Sequence, residues 1–231
     1  MKKLALTAIF FSAAAALLAE TAPERLDSAA AVLTEVMGTP DKGIPQDLLD
    51  KAACVIIIPG MKKAAFIVGG EYGLGFAECR KEGGRGWGAP AAVRMEGGSF
   101  GFQIGGSSTD LVLLVMSERG MRSLLTDKFT LGGDVSVAAG PVGRTVNAKT
   151  DAMMNAEILA WSRARGLFAG VSVNGATMRN DLDQNAELYG RKVTNKEVIE
   201  GHMEAPEAAH KLIAELDRYS MHKEGNADRS K

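Results

Sequence analysis

At 231 residues, with 46% apolar and 24% charged side chains, the chain can bury a sizeable core, and its composition excludes a disordered or collagen-like protein. Aromatic residues are sparse at 6% while glycine is abundant at 27 residues, so small side chains replace bulk somewhere in the fold. The formal net charge of -1 excludes a global basic field, and nucleic acid is not an expected partner.

In chain order, Lys2 and Lys3 precede Leu4 to Leu18, an uncharged and largely apolar stretch of signal-peptide length that is short for a membrane span. Residues 1–19 are therefore read as an export signal, with cleavage after Ala16 or Ala19 both open and an uncleaved anchor as the alternative. No cysteine lies near this junction, which excludes a lipoprotein anchor. Loss of the two lysines takes the net charge from -1 to -3.

Leu26, Ala30, Leu33 and Met37 recur at helical spacing and predict an amphipathic helix from Glu24 to Met37, acidic and with a narrow apolar face. Gly38, Pro40, Gly43 and Pro45 punctuate the chain before a second helix predicted over Gln46–Ala53. From Cys54 to Val173 short apolar or alternating runs are bounded by glycine pairs, as in CVIIIPG, GGEYGLG and GGSFGFQIGG. These are strands, and glycine inside them implies a backbone that bends sharply or approaches a neighbour closely. SERGMRSLL interrupts them as a helix capped by Ser117. Strands resume in TLGGDVSVAAGPVGR and are predicted again over Ile158–Arg163 and Leu167–Val173. After Asn174 the chain reads as helical, with Asp181–Leu188, a capping-box start at Thr194, and Pro206–Tyr219 carrying the apolar stripe Ala209, Leu212, Ile213 and Leu216. The polar tail, residues 221–231, is expected to be disordered. The fold class expected is α+β: a curved, glycine-rich antiparallel sheet, barrel- or sandwich-like, flanked by helices at both ends within one domain over residues 24–220.

Few motifs in the chain carry chemistry. No phosphate-binding glycine loop of the usual spacing occurs, and the three histidines sit near the carboxyl terminus without a zinc-ligand pattern, so neither a metal nor a cofactor is expected. Gly97-Gly98-Ser99-Phe100-Gly101 matches G-x-S-x-G, but the alternating FGFQIGG that follows is a strand pattern, whereas a nucleophile elbow needs a helix there. The carboxylates Glu71 and Glu78, or Asp110 and Asp134, are candidates for acid–base pairs only if folding brings them together. Asp110 is read as shaping the GGSSTD turn, and Arg163 and Arg165 as pairing internally. Cys54 and Cys79 can form a disulfide in an oxidising compartment, or Cys54 can be a small buried hydrophobe; sequence leaves both open. What remains is a basic and aromatic set: Lys62 and Lys63 after the IIPG turn, Arg80, Lys81, Arg85 and Trp87 in one loop region, and Arg144. Lysine and arginine offer cations to phosphate, and tryptophan favours membrane interfaces.

Four ordered blocks, IIIPGMKKAAFIVGGEYGLG, WGAPAAVRMEGGSFGFQIGGSSTDLVLLVM, FTLGGDVSVAAGPVGR and WSRARGLFAGVSVNGA with NAELYG, resemble the SYLF domain family over roughly Ile44–Leu216. The resemblance implies a non-enzymatic lipid-binding module; eukaryotic members bind phosphoinositides and are linked to actin, and bacterial members are typically exported. Here the amino-terminal helix is acidic, unlike the basic segment credited with eukaryotic lipid binding. The expectation is an exported protein of the periplasm or cell envelope that binds phospholipid or a membrane surface through Lys62, Lys63, Arg80, Lys81, Arg85 and Trp87, without actin as a partner. A scaffold that binds protein and not lipid is the alternative.

Overall fold

The computed structural model describes residues 20–38, 43–66, 68–100, 105–142, 155–164 and 167–220; the export-signal reading of 1–19, the tail 221–231, Arg144 and Arg165 lie outside them. The fold is α+β, a strongly curled sheet in the form of a half-barrel with helices at both ends of the chain.

Helix α1 (Ala22–Met37) starts at a capping box in which the Thr21 hydroxyl accepts from the Glu24 amide and the Glu24 carboxylate accepts from Thr21 N–H. Its buried face is broader than the spacing predicts, because Arg25, Ala29, Val32 and Val36 are buried beside Leu26, Ala30 and Leu33. Helix α2 (Gln46–Lys51) follows Pro45. Strands β1 (Cys54–Phe66) and β2 (Val68–Cys79) form a long antiparallel hairpin, which β3 (Ala91–Phe100) and β4 (Gly105–Val115) flank on its β2 and β1 sides. Ser99 lies in β3 opposite Gly69, as the strand pattern demands and as a nucleophile elbow does not.

Helix α3 (Glu118–Leu124) is capped by the Ser117 hydroxyl, which accepts from Gly120 N–H. Short strands β5 (Lys128–Thr130) and β6 (Val137–Ala139) precede β7 (Ile158–Ala164) and β8 (Leu167–Gly170). The strand order is β5-β9-β3-β2-β1-β4-β7-β6 with β8 also against β7, where β9 (Thr177–Asn180) is a strand that the sequence reading missed. TMRN has too few apolar residues to announce itself; pairing with β3 and β5 makes it extended. A second departure is that β6 runs parallel to β7, so the sheet is mixed. Helices α4 (Leu182–Tyr189), α5 (Asn195–Glu200) and α6 (His210–Ser220) are the last of the described elements, the first two begun by Asp181 and Thr194 caps.

Two apolar layers explain the long hydrophobic runs of the central strands. Val55, Ile57, Phe76, Val112 and Leu114 pack against α1 and α6, while Ile56, Ile58, Met95, Leu111 and Leu113 fill the other face within the curl. Burial on both faces removes the apolar–polar alternation that a solvated sheet retains. Glycine makes the curl possible: a Cβ on Gly75 would stand 2.1 Å from the Ile57 carbonyl oxygen, so any side chain there pushes β1 and β2 apart.

Candidate functional site

The β1–β2 register divides the basic and aromatic set. Lys62 lies opposite Tyr72 and Lys63 opposite Glu71, whereas Cys54 lies opposite Cys79, immediately before Arg80. At ~3.3 Å per residue, the eight steps from Lys62 to Cys54 place the two groups roughly 25 Å apart. The six residues therefore do not form one surface.

At the disulfide end, Arg80 and Trp87 are structural. Arg80 donates from Nε to Ala52 O (3.0 Å), from Nη1 to Ser220 O (3.1 Å) and from Nη2 to Leu49 O and Asp50 O (both 3.1 Å). It thus gathers carbonyls at the carboxyl ends of α2 and α6, where helices carry unpaired acceptors and partial negative charge. Trp87 is fully buried, 4.3 Å beneath the guanidinium, and its indole N–H donates to Ser220 Oγ at 3.1 Å. An isolated bridge between Arg80 and Trp87 folds the loop back and turns the indole inward, so Trp87 is not a membrane-facing residue. Burial pulls the Arg80 guanidinium below its ordinary value, opposed by the carboxylates of Asp50 and Asp217. Lys81 and Arg85 stay exposed on the turn around Glu82–Gly84. Cys54 and Cys79 are joined in a disulfide, which their cross-strand placement permits.

Glu78 is the unexpected group of this region. It points with Phe76 toward the layer beneath α6, is 1% exposed, and neither carboxylate oxygen has a hydrogen-bond partner among the described residues. Burial pushes its carboxyl well above the ordinary range and Asp217 adds to the shift. Tyr189, whose hydroxyl donates to Pro90 O at 2.5 Å, is pushed up by burial and then by Glu78.

At the opposite end β1 bulges at Pro59-Gly60, with Gly60 at φ +56°. The Gly60 amide donates to Asp110 Oδ1 (2.8 Å), and Asp110 Oδ2 accepts from Arg163 Nε and Nη2 at 2.8 and 2.7 Å. Asp110 thus braces a bulge on the neighbouring strand instead of its own turn, and Arg163 also pairs with Glu35 of α1. Between α1 and this bulge lies a cleft of about 560 Å³ lined by residues that include Arg25, Ser28, Lys62, Tyr72, Asp110 and Arg163. Arg25 is buried and held by Gln184, the Glu20 carboxylate and the Glu20 carbonyl. At the mouth, Lys62 is exposed, its Nζ 3.3 Å from Ser108 Oγ, and its cross-strand partner Tyr72 is 46% exposed. Lys63 is instead paired with Glu71 at 2.8 Å. The bulge shifts the register that sets Lys62 against Tyr72, and nothing in the local sequence reveals that pairing.

Among the described residues no group of three or more histidine, cysteine, aspartate or glutamate side chains is placed to hold a metal ion, and no helix is long and apolar enough to cross a membrane. The proposed acid–base pairs are not assembled as such: Glu71 serves Lys63, Glu78 is buried apart, Asp110 holds Arg163, and Asp134 accepts from the Thr130 amide.

Fold and site define an α+β module with a curled glycine-rich sheet and a charged cleft under its first helix. The chain belongs to the Ysc84 family, whose domain is the SYLF domain: the family model, described as "Las17-binding protein actin regulator", matches residues 96–219. It is similar to protein YSC84 of Saccharomyces cerevisiae, 37% identical over 180 residues that cover 77% of this chain and 38% of the yeast protein. LAS seventeen-binding protein 3 of the same species is 36% identical over 77% of this chain and 39% of its own. SH3 domain-containing YSC84-like protein 1 of Homo sapiens is 31% identical over 82% of this chain and 55% of its own. The chain thus spans between about two fifths and just over half of these relatives. The family description names a binding protein and regulator, and one of these relatives, LAS seventeen-binding protein 3, is named as a binding protein.

Proposed function

We propose that this protein is an exported, non-enzymatic binder of phospholipid in a bacterial envelope, and that it meets the lipid surface at the mouth of the cleft under α1. The observation that carries this reading is the cross-strand pair of exposed Lys62 and half-exposed Tyr72 above a cleft that holds Arg25 and Arg163. An ammonium group suits a lipid phosphate, and a tyrosine with an apolar body and polar tip suits the headgroup layer. Arg80 and Trp87 drop out of the candidate set, Lys63 is occupied by Glu71, and Lys81 and Arg85 lie too far away to act with Lys62. Two features support export: the Lys2-Lys3 start with its uncharged Leu4–Leu18 stretch, and the Cys54–Cys79 disulfide, a bond favoured in oxidising compartments. Actin is not proposed as a partner, since export carries the chain away from it.

Co-sedimentation of the mature protein with neutral and anionic vesicles across a salt series tests the reading. Binding that needs anionic lipid, fades with salt and is lost in Lys62→Glu supports the cleft mouth. Absence of binding to either vesicle makes a protein scaffold the better reading, in keeping with the "Las17-binding" description of the family.

A further inference from the structure

A second and larger depression lies at the disulfide end, between the turn Glu82–Gly84, α3, α5 and the start of α6, with a volume of about 1280 Å³. That exceeds the ~300–1,000 Å³ usual for small-molecule pockets and suits a segment of polypeptide. Its floor includes Met121, Ile199, Met203 and Ile213, all half-buried. Methionine is flexible and polarizable, and adapts to varied apolar partners. Ala209, just before α6, and Leu212 and Leu216 within it are spent on packing against the core, but Ile213 leaves part of its side chain in the groove.

The rim has a definite sign. Glu82, Glu118, Glu200 and Glu204 are exposed around it, against Lys81, Arg80 and two exposed histidines, His202 and His210, a residue type largely uncharged at neutral pH. The Arg80 guanidinium is engaged by four backbone carbonyls and Trp87, so its donors are not available to a ligand. The partners of Glu118 and Glu200, Arg122 and Lys196, are exposed neighbours one helical turn away at 3.6 and 3.9 Å, and Glu82 meets His202 at 3.4 Å. Such exposed pairs are weak and give way to a better-placed cation. An anionic ligand would face four carboxylates here, so this is not a second phosphate site.

From this charge complementarity we infer that the groove is a docking site for a basic, amphipathic peptide segment of a partner protein, its apolar side chains on the methionine floor and its lysines or arginines against the glutamate rim. This is the helix-in-groove mode of recognition, in which apolar anchors supply affinity and charges supply orientation. The site is independent of the lipid-binding reading, because it lies at the other end of the β1–β2 hairpin.

The test uses the full chain and a fluorescent 14-residue peptide of leucine and lysine in helical amphipathic order, with the same peptide carrying glutamate for lysine as its control. Anisotropy is expected to show binding of the basic peptide only, weakened about tenfold or more by Glu200→Lys with Glu204→Lys and several-fold by Met203→Ser, which removes apolar contact without adding charge. Asp27→Lys with Asp183→Lys, the same charge change at exposed positions outside the groove, is expected to leave affinity within about twofold. No binding of the basic peptide up to about 1 mM, or equal weakening by both charge reversals, overturns the inference. So does loss of anionic-vesicle binding in the groove variants while peptide binding is unchanged, which would make this rim a lipid contact. Failure of Lys62→Glu to alter vesicle binding strikes only the lipid reading.

Discussion

The two ends of the β1–β2 hairpin use the same residue types for opposite ends. At the disulfide end an arginine and a tryptophan are withdrawn into the structure, where Arg80 satisfies four carbonyls and Trp87 fills the space beneath it. At the bulge end a lysine and a tyrosine remain on the surface, and the buried charge is balanced by Asp110, Glu35 and Glu20. A basic residue near an aromatic one therefore signals a binding surface only when both keep access to solvent. Access depends here on which helix ends lie nearby with acceptors to satisfy.

That contrast is sharpened first by Trp87→Ala, which empties a fully buried site and is expected to cost about 3–5 kcal/mol in urea denaturation. Unchanged stability would put the indole on the surface after all. The double variant Cys54→Ala with Cys79→Ala opens a 25-residue separation and is expected to lose about 3 kcal/mol, readable as a lower midpoint that reductant no longer affects.

Glu78 makes the same region sensitive to pH. Its folded value is raised above the ordinary 4.5, so its favourable, protonated contribution is complete below that value and is lost as pH rises through the folded value. Wild-type stability is expected to fall across that interval, with Glu78→Gln flattening the slope and gaining most at the higher pH; parallel wild-type and variant profiles would show that Glu78 titrates normally. The smallest effect on stability belongs to Lys62→Glu and Tyr72→Ala, each expected within about 0.5 kcal/mol of wild type. Their effect should appear instead as reduced binding to anionic vesicles. A variant that unfolds with no change in binding per folded molecule would reverse the roles assigned to the two ends.

Much of the fold was legible because its signals are local. Caps at Ser117, Asp181 and Thr194 announce α3, α4 and α5 through side chains that bond amides three residues on. Glycine doublets announce a bent sheet for a steric reason that holds wherever the strand pairs. Less of the candidate site was legible. Lys62 was singled out, but Tyr72, Arg25 and Glu35 were not, since Tyr72 meets Lys62 only across strands and the other two reach the cleft region only from α1. Strand β9 escaped notice because its extended state comes from its neighbours.

The sequence by itself determined the family, the α+β class, the order of most helices and strands, and the rejection of Ser99 as a nucleophile, since each rests on ordered motifs, residue spacing or a near neighbour. Only the tertiary structure decided that Cys54 meets Cys79, that Trp87 is buried and Lys62 is not, that Glu78 is buried without a hydrogen-bond partner among the described residues, and that the basic set divides into two. A bulge at Pro59-Gly60 and the packing of α6 against the sheet settle those matters, and register and long-range packing are properties of the folded chain that no short stretch of residues encodes.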